Sequence, residues 1–157
     1  MNNIVGLFLL LAFVSFGAAA DGIRQNQEDD IREAVFRWQF DHSGGWLQQE
    51  TKAYYLQVGE NDNDPSDELI KRFSGHKPPV RKGSACNANI RTGVLDKQTG
   101  ERGLILRVRS IEWQSDSEVK VLGGYYEGGR SASGNTYTLK NKNGKWEVTN
   151  DKERWVS

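Results

Sequence analysis

The chain has one cysteine, two histidines and three prolines in 157 residues, and these scarcities remove classes of explanation. A lone thiol, Cys86, cannot form an intramolecular disulfide, so the fold has to be held by packing. His42 and His76 are the only imidazoles, and no CxxC, HExxH or close His pair exists. A zinc site would need three remote residues to converge, so we expect no metal and no cofactor. Net charge is absent as well, Lys plus Arg and Asp plus Glu both numbering 21. Without a global field the chain has nothing to gather nucleic acid, and none is expected as a partner.

Long apolar runs are missing except at residues 4–16, where an almost unbroken stretch stops at Ala18, Ala19 and Ala20 before a polar chain begins at Asp21. The pattern is that of a secretory signal peptide, residues 1–20, cleaved after Ala20, and its apolar part is short for a membrane-spanning helix of roughly 20 residues. Met1, Asn2 and Asn3 supply no Lys or Arg, which leaves retention as an N-terminal anchor as the alternative. We expect a secreted or periplasmic protein with no membrane contact after signal removal. The remainder suits one core, read as a flexible leader over 21–26 and a single α+β domain over 27–157.

Asn26 is placed to cap a helix, with Glu28, Asp29 and Asp30 at its positive end. Ile31, Ala34, Val35 and Trp38 then recur at helical spacing, Glu33 and Arg37 form an i,i+4 pair, and Ser43-Gly44-Gly45 ends the helix. Phe36 and Phe40 fall on the opposite side, so a second face needs cover. Residues 53–58 read as a short strand. Asp64-Pro65-Ser66-Asp67 predicts a second, short helix, with Asp64 as its cap and Phe73 at its end.

Beyond Gly75 the chain reads as antiparallel sheet. Asn143-Gly144 is a two-residue hairpin turn that sets Leu139 opposite Val148 and Lys140 opposite Glu147. Residues 104–113 and 119–127 pair through Ser115-Asp116-Ser117, with Trp113 opposite Val119 and Ile111 opposite Val121. Leu104, Leu106 and Val108 alternate out of phase with Ile111 and Trp113, which predicts a bulge near Arg109-Ser110. Gly123-Gly124 marks sharp curvature in the partner strand.

EDDIREAVFRWQF, DPSDELIKRF, GLILRVRSIEW, EVKVLGGYYEG and TYTLKNKNGKWEVT, in that order, resemble the nuclear-transport-factor-2-like superfamily of cone-shaped domains. The resemblance covers most of the chain in element order, without a diagnostic motif. It implies helices packed on a strongly curved antiparallel sheet, a pocket between them, and often a dimer through the sheet's other face. A cystatin-like clasp is the alternative. GGYYEGGRSASGNTYTLKNKNGKWEV also resembles small exported bacterial proteins of uncharacterised function.

Tyr125 and Glu127 share strand parity with Val119 and Val121, so both point to the helix side. A carboxylate in an apolar cleft beside a phenol would be a pocket acid or base; a buried Tyr with a rim Glu is the structural reading. The superfamily's use of Asp, His or Tyr inside the cone adds Asp41 as a candidate, and Trp38 joins Tyr125 and Glu127 as a ligand contact. Cys86 is either a nucleophile near His76 or a small buried residue. Ser131 and Ser133 do not make GxSxG, and Asp62, Asp64, Asp67 and Glu68 lack the glycine of a calcium loop. Trp46 and Trp155 lie outside the expected core. Arg107 and Arg109, with Tyr126, fall on the outer sheet face, where Ile105, Leu122 and Tyr126 form the expected homodimer interface. No spacing specifies a nucleophile or phosphate cradle, so a non-enzymatic ligand-binding or assembly module is favoured. An isomerase or hydrolase using Glu127, Tyr125 or Asp41 is the competing reading.

Overall fold

A computed structural model of the chain describes residues 15–44 and 50–157. The apolar run of the expected signal lies largely outside them, as does Trp46. Helix α1 spans Ser15–His42, so it begins well before Asn26 and residues 21–26 continue it upstream. Strand β1 (Ala53–Val58), helix α2 (Asp67–Lys71) and strand β2 (Val80–Lys82) follow. The ribbon β3 (Cys86–Asn89) and β4 (Gly93–Asp96) then precedes four long strands, β5 (Gly103–Ser115), β6 (Glu118–Gly128), β7 (Ser131–Lys142) and β8 (Lys145–Val156).

The architecture is α+β, a helix on a mostly antiparallel six-stranded sheet ordered β2, β1, β5, β6, β7, β8. The fully antiparallel expectation fails at one edge, where β1 runs parallel to both β2 and β5. Elsewhere the register follows the sequence. Ile111 faces Val121, Trp113 faces Val119, Leu139 faces Val148 and Lys140 faces Glu147. The β5 ladder shifts between Val108 and Ser110, the bulge that puts both apolar sets of β5 on the helix side.

Two apolar layers result. The larger lies between α1 and the sheet and includes Ile31, Val35, Phe36, Leu56, Leu104, Leu106, Val119, Val121, Tyr137 and Leu139. Phe36 and Phe40, which needed cover, receive it from this chain: Phe73 meets both edge-on at 6.2 and 5.5 Å, and Tyr54 stacks on Phe40 at 5.0 Å. The cap of α2 is Ser66, whose Oγ accepts from the Leu69 N–H at 3.1 Å. Asp64, expected in that role, instead accepts from the backbone N–H and hydroxyl of Ser84.

The smaller layer lies on the other sheet face, where Cys86 and Val94 of the ribbon pack with Ala53, Tyr55 and Ile105. Of the residues expected on the intermolecular face, Ile105 is therefore covered by its own chain. Ile105 is 1% exposed within the single chain, and Tyr126 is half-buried against the same cluster. No helix among the described residues is long and apolar enough to cross a membrane.

Candidate functional site

Glu127 stands at the end of β6, where the ladder to β7 shifts between Tyr126 and Gly128. Gly129 and Arg130 make the tight turn, and Gly128 pairs with Ser131 across it. The turn brings Ser131 back beside the carboxylate, and its Oγ donates to Glu127 Oε2 at 2.6 Å. Glu127 is 4% exposed.

The ribbon closes the other side. Its turn is shaped by Asn89, whose Oδ1 accepts from the Arg91 N–H at 2.8 Å. Gly93 leaves the turn with φ 76°, and a Cβ there would sit 2.7 Å from the Glu127 carbonyl oxygen. A glycine is therefore what lets the ribbon lie against the end of β6. Arg102, one residue before β5, is tied to the ribbon by the Leu95–Arg102 bridge.

A cavity of about 300 Å³ opens between these turns, lined by Ile90–Gly93, Arg102 and Glu127–Ser131. Three arginines, Arg91, Arg102 and Arg130, line it together with one glutamate. Arg102 has a loose ion pair with Glu50 at 3.6 Å. Arg91 and Arg130 make no ion pair within 4.0 Å among the described residues. Guanidinium offers five fixed donors and no acceptor, so this wall is complementary to carboxylate or phosphate oxygens.

The other sequence candidates do not join Glu127. Tyr125 pairs with Leu106 and Ser133 and packs half-buried against the main core. Asp41 is exposed on the last turn of α1. Trp38 stacks on His42 at 3.8 Å, and its indole N–H donates to Asp151 Oδ2 at 3.0 Å. None of the three lines the Glu127 cavity.

Cys86 is buried, its thiol donating to the Gly83 carbonyl at 3.2 Å, and burial pushes its pKa up to about 11. His76 packs against Phe40 in the layer beneath α1, whereas Cys86 belongs to the layer beneath the ribbon. The thiol–imidazole pair therefore does not form. The acidic segment is likewise taken up internally, Asp62 by Arg107 and Arg109 and Asp67 by Lys82. No metal-holding cluster occurs among the described residues.

One buried polar centre gave no signal in the sequence. Asp96 Oδ2 accepts from Tyr55 OH and Arg81 Nη1, each at 2.5 Å, and Oδ1 accepts from the N–H groups of Gln98 and Thr99. The Tyr55 bond, then the Thr99 and Gln98 N–H groups, hold the Asp96 carboxyl well below the usual range. Burial, reinforced by Asp96, pushes the Tyr55 phenol well above its own. Through these bonds Asp96 at the end of β4 ties the ribbon to Tyr55 of β1 and Arg81 of β2.

Comparison of the chain with protein-family models, curated proteins and solved structures finds no match. The functional reading is carried by the chain's own residues.

Proposed function

We propose that this is an exported, non-enzymatic binding module that holds a small anionic ligand between the β3–β4 turn and the β6–β7 turn. The observation behind this reading is the cavity lined by Arg91, Arg102 and Arg130, in which Glu127 is the one lining carboxylate and is engaged by Ser131. In a chain of zero net charge such a cluster is a local feature. Export is supported by the apolar residues 4–16 and the alanines at 18–20.

The cone-like reading of the fold, and with it the superfamily resemblance, belongs to the same proposal. It is supported by the β5 bulge beside Gly123-Gly124. Of the expected homodimer contacts, Ile105 is covered by its own chain and Leu122 lines a groove beside Arg107, which leaves the exposed part of Tyr126 for the dimer.

Calorimetric titration with citrate at low ionic strength tests the binding site. The wild-type protein should bind, and the Arg91→Ala/Arg130→Ala double variant should lose at least tenfold in affinity with its fold intact. Absence of binding, or equal binding by the double variant, refutes the proposal. Under the competing acid/base reading, Glu127→Gln would abolish turnover of a substrate.

A further inference from the structure

A second site lies on the outer face of the sheet, away from the ribbon turn. A groove of about 290 Å³ is walled by Arg107, Arg109, Arg154 and Trp155, with Leu122 and the backbone of Gly123, Gly124 and Gly134 along its floor. Trp155 is held there by a specific accommodation. It pairs with Gly134 across the β7–β8 ladder, and a Cβ on Gly134 would stand 2.2 Å from the indole Nε1 and 2.6 Å from Cε2. Only a glycine lets the indole settle onto that strand, and Trp155 as a residue remains 53% exposed.

The guanidiniums beside it differ in what they already hold. Arg107 Nε donates to Gln57 Oε1 at 2.9 Å, and its guanidinium lies 5.7 Å from the Tyr126 ring centroid. Arg107 and Arg109 share Asp62 at 3.4 and 3.3 Å. Arg154 makes no ion pair within 4.0 Å among the described residues. The groove is thus lined by an arginine with no ion pair among the described residues and by an exposed tryptophan. Glu60 is the one carboxylate on its wall.

We infer that this groove binds an acidic saccharide, a uronate sugar whose ring lies on Trp155 and whose carboxylate is taken by Arg154. A pyranose presents a C–H face to an aromatic ring and hydroxyls to water, which fits a ring open on one side. The carboxylate meets a guanidinium fork of matching geometry. The site shares no residue with the cavity around Glu127.

Calorimetry with trigalacturonic acid, with neutral maltotriose and hexaglutamate as comparisons, tests the inference. Trigalacturonic acid should bind at physiological ionic strength and maltotriose should not. Trp155→Ala and Arg154→Gln should each weaken binding at least fivefold, Trp155→Phe should retain most of it, and Arg91→Ala/Arg130→Ala should leave it unchanged. No binding by the wild type, full binding by Trp155→Ala, or equal affinity for hexaglutamate overturns the inference. Should Trp155→Ala not fold, Arg154→Gln and Trp155→Phe decide the matter.

Discussion

Gln39 on α1 reaches into the sheet and donates to the Gly124 carbonyl at 3.3 Å. The same amide nitrogen lies 3.1 Å from the Arg107 carbonyl and 3.1 Å from Tyr137 OH. Arg107 and Gly124 face each other where β5 approaches its bulge. One helix side chain, 0% exposed, therefore satisfies strand carbonyls that face the helix.

Removing that amide leaves buried acceptors unpaired, which costs about 1 to 3 kcal/mol apiece. We predict that Gln39→Leu, which keeps the volume, lowers stability by about 2 to 3 kcal/mol, seen as a lower urea midpoint at unchanged slope. Wild-type stability in Gln39→Leu would show that the residue only fills space.

The Asp96 centre sets a pH window. Because the Asp96 pKa is depressed on folding, its stabilisation is present above the unfolded carboxylate value of roughly 4 and is lost as pH falls towards the folded value. Tyr55 has the opposite sign. Its pKa is raised, so its contribution is full below roughly 10 and is lost as pH climbs beyond. Unfolding midpoints against pH should therefore form a plateau with acid and alkaline limbs. Asp96→Asn should be less stable at pH 7 and should flatten the acid limb, and an unchanged limb would count against the centre.

Cys86 should be inert. With its thiol buried and raised to about 11, alkylation by iodoacetamide at pH 8 should be slower in the native protein than in denaturant by two orders of magnitude or more. Comparable rates in the two conditions would mean that the ribbon does not seal it.

Much of the sheet was readable because its signals are local. Asn143-Gly144 sets the β7–β8 register, and the phase slip between Val108 and Ile111 locates a bulge that one residue's offset demands. The parallel pairing of β1 had no such signal, since Tyr54 meets Leu104 across fifty positions with no shared turn. The ribbon was hidden by its polar sequence: Asn87 and Asn89 face outward while Cys86 and Val94 do the covering. Strand parity put Glu127 beside Tyr125 on the helix side, whereas it lines a cavity with the ribbon turn, and Arg91, Arg102 and Arg130 come from three separate segments. No spacing in a linear chain brings those together. Asp64 misled for a related reason, because Ser66 caps α2 while Ser84, twenty residues on, claims the carboxylate.

The sign of the Glu127 effect tests the binding account most directly. If the cavity takes an anion between three guanidiniums, the carboxylate opposes it, and Glu127→Gln keeps an oxygen to accept from Ser131 while removing the charge. A unit charge a few ångströms away in a partly solvated site is worth about 1 kcal/mol. Calorimetric titration with citrate should therefore show Glu127→Gln binding roughly fivefold more tightly than the wild-type protein, and equal or weaker binding by the variant would contradict the account.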